Sequence, residues 1–160
     1  MIKIAARIYH KTKNTTMTIG SIEEQSRIVS DIVIGGAEKA EVNIDAVDGT
    51  NYAFAGNPSN ATVTFDFLVS SSYNIEEMVY GPETTASSPV EHTLVWNGAG
   101  SEKTITIANA ESEGQIFTVT LTNVDGISAP ITYTKGEAVV RTFNGIVDAQ
   151  DVTEVLIERA

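Results

Sequence analysis

Residues 103–144 read KTITIANAESEGQIFTVTLTNVDGISAPITYTKGEAVVRTFN, and their pattern decides the fold. Apolar and polar residues alternate with period two, broken only where turn formers cluster. That pattern specifies half-buried antiparallel strands joined by hairpins. Strands are expected over 103–108, 115–123, 131–133 and 137–143, with Asp125-Gly126 turning the chain. The apolar run VTEVLI at 152–157 predicts a buried closing strand. No residue set in this stretch can do chemistry.

Working outward, the same period recurs upstream. Residues 39–47 place Ala40, Val42, Ile44 and Ala46 on one face, with Lys39, Glu41, Asn43 and Asp45 on the other. This is an antiparallel strand with one wet side. Asp48-Gly49 follows as a tight turn. Residues 61–69 give the clearest strand, with Val63, Phe65, Phe67 and Val69 inward. The β-rich run 27–34 is closed by Gly35-Gly36. Residues 1–10 predict a strand presenting Ile2, Ile4 and Ala6, whereas the Thr-rich 11–20 reads as a loop or arm. One short helix is expected over 74–81, NIEEMVYG, with Asn74 as cap, Ile75, Met78 and Val79 on one face, and Gly81-Pro82 as terminator. Residues 82–90 read as a surface loop. The result is about nine short strands and one short helix. It is an all-β, antiparallel barrel or sandwich, in a single domain over 1–160 with a possible N-terminal arm over 1–20. No helix of crossover length separates the strands, which excludes a parallel βαβ fold.

A chain of 160 residues buries about 70% of its unfolded surface, enough for a core without metals or disulfides. It is 42% apolar and 19% charged, ordinary values for a globular protein. Cysteine is absent, which removes disulfides, thiolate metal sites and thiol nucleophiles. Charges interrupt every apolar run near residue 1, so no signal peptide is expected, and no stretch is long and apolar enough to predict a membrane span. The formal charge of −11 is unevenly spread. Residues 1–19 carry Lys3, Arg7, Lys11 and Lys13 and no acid, for +4, while the remainder carries −15. A basic arm on an acidic body suits like subunits meeting head to tail. An acidic body does not grip nucleic acid, which needs clustered Lys and Arg.

The chemistry-bearing residues form no known constellation. His10 and His92 are the only histidines, without a second histidine at metal-ligand spacing, and read as surface or turn residues. Neither a nucleophile elbow nor a phosphate-binding glycine loop is present. Glu23-Glu24 and Glu76-Glu77 fall at predicted helical turns, where acids favour the helix dipole. Asp45 and Asp48 flank a turn that does not match a calcium loop. Trp96 shares the parity of Leu94 and is expected in the core. Tyr52 and Phe54, bracketed by turn residues, suit a projecting tip that inserts into a neighbouring subunit. No catalytic, cofactor-binding or metal residues are expected, and no cofactor.

Two segments resemble the major tail tube proteins of tailed bacteriophages, a family related in fold to contractile-injection and type VI secretion tubes. Residues 37–81 resemble them as two alternating strands around a glycine-containing link, then a short helix ending in Tyr80-Gly81. Residues 103–149 resemble the closing half of such proteins, with Phe143-Asn144-Gly145 in the terminal strand. The resemblance implies a structural, non-catalytic protomer that forms rings, usually hexameric, stacked into a tube. The lumen would pass DNA without specific binding. The implied partners are identical subunits and other tail or virion proteins, and the implied location is a virion tail made in the host cytoplasm. Ile2, Ile4, Lys11, Lys13, Tyr52 and Phe54 are the interface residues expected on this reading. The alternative is another β-rich virion or surface component, such as a capsid decoration protein or an adhesin-like immunoglobulin module.

Overall fold

The computed structural model describes residues 9–111 and 114–158. The elements are β1 (Thr15–Ile19), β2 (Ile22–Glu23), β3 (Val33–Gly36), β4 (Lys39–Asp45), β5 (Asn51–Pro58), β6 (Ala61–Leu68), α1 (Glu77–Tyr80), β7 (Thr84–Ser87), β8 (Val90–Thr93), β9 (Lys103–Ala110), β10 (Ile116–Ser128), β11 (Ile131–Thr132), β12 (Val140–Val147) and β13 (Val152–Ile157). The protein is all-β with one short helix, as the alternation requires. Every strand pair is antiparallel.

One long strand organises the molecule. The first part of β10 lies between β9 and β13, and its last residues pair with β12. Asp125-Gly126 therefore does not turn the chain. It pairs with Ile146 and Gly145 inside the strand, after an irregularity between Leu121 and Val124 that contains the positive-φ Asn123. A bulge of this kind bends a strand without ending it. One layer runs β2-β1-β9-β10-β13, and the other continues β10-β12-β6-β3. Among the described residues no sheet is closed, so the barrel alternative does not hold.

Register explains the core. Ile19, Ile105, Leu121 and Val152 form one cross-strand row; Met17, Ile107, Val119 and Glu154 form the next. Opposite them stand Val63, Phe65 and Phe67 of β6, with Phe143 of β12 stacked on Phe65 at 5.1 Å between ring centroids. Residues 61–68 thus alternate as expected, whereas Val69 lies beyond the strand and is exposed. Ile75 and Met78 are fully buried and Val79 packs beside them, as the helical period predicted.

Several expectations give way. Residues 15–19 are a core strand, with Met17 and Ile19 buried in spite of their Thr neighbours. Residues 84–87 form a strand, hairpinned to 90–93, within the stretch 82–90 where a loop was expected. Asn74 does not cap α1; its amide is committed elsewhere, as described below. β13 is largely exposed because it is the outermost strand of its layer among the described residues. Trp96 is 56% exposed. β8 ends at Thr93, so the parity that linked Trp96 to Leu94 does not continue. The chain instead runs along α1 through Gly98 and Gly100, where an added Cβ would stand 2.2 Å from the Tyr80 carbonyl oxygen and 2.1 Å from that of Met78. The expected strand over 1–10, with Ile2 and Ile4, lies outside the described residues except for Tyr9 and His10.

Candidate functional site

Three features stand out: an amphipathic hairpin, sheet edges paired on one side, and a buried ionic cluster. The hairpin is β4–β5, a two-stranded sheet separate from the main layers. The chain leaves β3 through Gly36, at φ +75°, where a Cβ would meet the Asn60 carbonyl oxygen at 2.5 Å. Backbone bonds Ala37 N–H to Asn60 O and Ser59 N–H to Glu38 O tie its base. At the tip, the Asp48 carboxylate accepts from Thr50 N–H at 3.0 Å. That bond holds the Asp48 carboxyl below its ordinary pKa.

Val42 pairs with Phe54 and Ile44 with Tyr52, so these four side chains share one face. The opposite face carries Glu41, Asn43, Asp45, Asn51, Ala53 and Ala55. Tyr52 and Phe54 are 56% and 50% exposed. The structure brings these two expected site residues together, on a strand face and not at a loop tip. A two-stranded hairpin is marginal alone in water, and an exposed apolar face of this kind is a candidate interaction surface.

Lys11 and Lys13 stand far from that face in sequence and pairing. The Lys11 backbone N–H donates to Glu111 Oε1 at 2.8 Å, and its carbonyl accepts from Asn109 Nδ2 at 3.2 Å. Lys13 lies in a single 3-10 turn before β1 and is exposed. Ile2 and Ile4 are outside the described residues. Among the described residues β13 is paired only with β10, and β3 only with β6. β13 also exposes Val155, Leu156 and Ile157, the profile of an edge able to accept another strand.

The ionic cluster is what sequence reading missed. Glu24, Arg27, Asn74, Glu76 and Arg141 are all buried. Arg27 Nη1 meets Glu24 Oε2 at 3.1 Å, and its Nη2 meets Glu76 Oε1 at 3.3 Å. Glu76 Oε2 faces Arg141 Nη1 at 3.8 Å. Both guanidiniums also donate to backbone, Arg27 to Leu68 O and Arg141 to Ala129 O. Asn74 Nδ2 donates to Ile19 O and to Glu24 Oε1, and Lys103 Nζ donates to the Asn74 carbonyl and amide oxygens. Arg27 lies over Phe67; Arg141 lies over Tyr80 and Trp96, whose rings stack at 5.0 Å. Burial pushes the Glu76 carboxyl up, against the two arginines that pull it down. Glu24 and Glu76 therefore are not helix-dipole acids. The available signal was Arg141, which shares the inward parity of Phe143 and Val147.

The cluster ties the segment after β2, α1, β9 and β12 together, and every contact is internal. Its arrangement suits fixing the fold more than performing chemistry. His92 lies in the β7–β8 hairpin beside Glu83 and Thr85, and His10 leans on Phe117. Among the described residues no group of three or more His, Cys, Asp or Glu is placed to hold a metal ion, and no helix is long and apolar enough to cross a membrane.

This architecture, two layers sharing one bent strand with a detached hairpin, is a tail-tube-related fold. The sequence matches no family profile and no curated protein. Solved structures do match. A chain of the anti-feeding prophage cap that terminates the tube aligns over 98% of this chain and 97% of its own, with TM-score 0.64 and 15% identity. A chain of the sheath–tube complex of an extracellular contractile injection system, in the extended state, aligns over 93% of each chain, with TM-score 0.60 and 12% identity. A chain of the sheath/tube terminator of that system covers 96% of this chain and 99% of its own, with TM-score 0.58 and 12% identity. At such identities the likeness shows the fold. The neighbours themselves are structural components of multi-subunit tube assemblies.

Proposed function

We propose that the protein is a non-catalytic structural subunit that assembles with copies of itself into stacked rings of a phage-tail-like tube. Tail or terminator proteins at the tube ends would complete the particle. The observation that carries this reading is the β4–β5 hairpin, whose four aligned apolar side chains remain about half exposed. Burying that face against a neighbour stabilises both, and one-sided edges such as β13 and β3 offer backbone pairing between copies. Contacts that close give a ring, and contacts repeated along an axis give an open tube. The fold shared with tube and cap components points the same way. Lys11 and Lys13, on a basic N-terminal stretch, would meet the acidic body of an adjacent subunit. With −15 over residues 20–160, a lumen formed by this body would let a polyanion such as DNA pass without adhering.

Negative-stain electron microscopy of concentrated protein tests the proposal. Rings or tubes are expected for the native sequence, and loss of them for Tyr52→Ser combined with Phe54→Ser. Native protein that remains a dispersed monomer at every concentration refutes self-assembly. Assembly unaffected by the double substitution removes the hairpin from it.

A further inference from the structure

The sequence contains two Asn-Gly pairs, and the fold treats them oppositely. Glycine after asparagine leaves no Cβ to shield its backbone nitrogen from the asparagine side chain. Asn144-Gly145 is locked. It lies in β12, where Gly145 pairs with Val63 of β6 on one side and with Gly126 of β10 on the other. The Asn144 side chain is held as well: its Nδ2 donates to Ser128 Oγ at 3.0 Å, and its Oδ1 accepts from Thr64 Oγ1 at 3.3 Å. Asn97-Gly98 instead stands in an exposed turn outside the sheets. That turn is closed by a long hydrogen bond, from Gly98 N–H to the Val95 carbonyl at 3.4 Å.

We infer that Asn97 is a site of spontaneous modification, converting to aspartate and isoaspartate through a cyclic imide, and that the isoaspartyl form undoes the stack of Trp96 on Tyr80. The Gly98 backbone nitrogen attacks Asn97 Cγ. The new N–Cγ bond closes a five-membered ring, the Cγ–Nδ2 bond breaks, and the side-chain nitrogen leaves as ammonia with the Gly98 amide proton. Water then opens the imide. Cleavage of the N–Cγ bond gives aspartate. Cleavage between that nitrogen and the Asn97 main-chain carbonyl carbon gives isoaspartate, whose backbone runs through the side chain and is one methylene longer. Either product carries a carboxylate in place of a neutral amide. The added methylene falls where the chain has no slack. A Cβ on Gly98 would stand 2.2 Å from the Tyr80 carbonyl oxygen, and one on Gly100 would stand 2.1 Å from that of Met78. Lengthening the backbone here lifts the segment off α1 and draws Trp96 from the Tyr80 ring, which it now faces at 5.0 Å between centroids and 3° between planes. Arg141, which lies over both rings, loses part of that cover. The inference is independent of ring or tube formation, because it concerns a single subunit.

The test ages the full chain in dilute solution at mildly alkaline pH, then digests it for peptide mass spectrometry, with an isoaspartyl methyltransferase reporting the rearranged form. The peptide containing Asn97 is expected to show the mass change of amide-to-acid conversion several-fold faster than the peptide containing Asn144, and to become a methyltransferase substrate. Trp96 is the sole tryptophan, so its emission gives a second readout, expected to shift to longer wavelength in step with isoaspartate. In Asn97→Gln, whose side chain would have to close a six-membered ring, both changes are expected to stop. Freshly prepared Asn97→Asp is expected to keep the emission of fresh native protein, because it adds charge without lengthening the backbone. Equal conversion at the two pairs, or none at Asn97, would overturn the modification. Conversion that leaves the emission unchanged, or a shift already present in fresh Asn97→Asp, would overturn its structural consequence.

Discussion

Glu76→Gln isolates the buried charge cluster, because the amide keeps the shape of the carboxylate and removes its charge. The loss is not shared equally by the two arginines. Arg27 retains Glu24 at 3.1 Å and the Leu68 carbonyl at 3.0 Å. Arg141 retains only the Ala129 carbonyl, beneath the Tyr80 and Trp96 rings. Removing one member of a buried ion pair destabilises by about 3–5 kcal/mol, since the other charge is left uncompensated. The retained partners of Arg27, together with the burial that already favours an uncharged side chain at position 76, bring the loss below that range, to about 1–2 kcal/mol. For a domain of this size that is a fall in melting temperature of about 2–8 °C. Urea unfolding at pH 7 gives the free energy directly. The pH dependence has a definite sign. Burial raises the Glu76 carboxyl in the folded protein above its ordinary 4.5. The native state therefore binds the proton more readily than the unfolded chain, and this group's contribution to stability rises as pH falls from above its native pKa to below 4.5. The stability of Glu76→Gln lacks that term. A loss at pH 7 under about 1 kcal/mol would mean that the cluster does not compensate Arg141 as the distances imply. So would a double variant with Arg141→Met whose cost equals the sum of the two single costs.

Phe65→Ala should cost about 3–5 kcal/mol, because the ring is fully buried between Phe67 and Phe143; a denaturant midpoint shift worth under about 1 kcal/mol would contradict the packing. Gly100→Ala places a Cβ 2.1 Å from the Met78 carbonyl oxygen, so a loss of about 1–3 kcal/mol is expected, and calorimetry showing no loss would contradict that close approach. Removing residues 1–20 deletes β1 with Met17 and Ile19, so circular dichroism should show a destabilised domain and not merely one that assembles poorly. Raising salt from about 50 to 500 mM should lower the protein concentration at which assembly begins, because screening weakens repulsion between acidic bodies more than it weakens an apolar hairpin contact. Light scattering that shows a later onset would instead assign the leading role to attraction by the basic arm.

The sequence carried the strand content well, and for a physical reason. In β6 and β12 one face meets the core and the other does not, so composition must alternate. The helix was legible in part: Met78 and Val79 meet the core from α1, whereas Ile75 is buried in the turn that precedes it. Other features depend on pairing across the chain. Nothing local says that β10 continues through Asp125-Gly126, because its partner there, residues 144–146, is supplied by β12. Nothing local makes 152–157 an outer strand; an apolar run reads as buried until its neighbours are counted. Thr-rich residues 15–19 look like a loop until Met17 and Ile19 are matched with Ile107 and Ile105 of β9. Tyr52 and Phe54 were recognisable as exposed aromatics. Their alignment with Val42 and Ile44, which makes a face, required the register. The charge cluster was hidden because Glu24, Arg27, Glu76 and Arg141 are scattered along the chain and converge only after folding.

Where this protein places charge and where it leaves apolar surface bare point in one direction. Its buried charges are gathered into a compensated cluster, a costly arrangement that a hydrophobic core of equal volume would match in stability. Part of its exposed apolar surface, Val42, Ile44, Tyr52, Phe54, Val155, Leu156 and Ile157, stands on a detached hairpin and an outer strand. A monomer that functioned alone would gain from the reverse, with charge at the surface and these aromatics inside. The hairpin also has a defined register, tied at its base by the Ala37–Asn60 and Glu38–Ser59 bonds and at its tip by Asp48. It therefore presents its apolar face in a fixed direction, and less conformational freedom is lost when a neighbour covers it. Apolar surface held in a defined register away from the body fits the proposal that another copy of the same chain covers it.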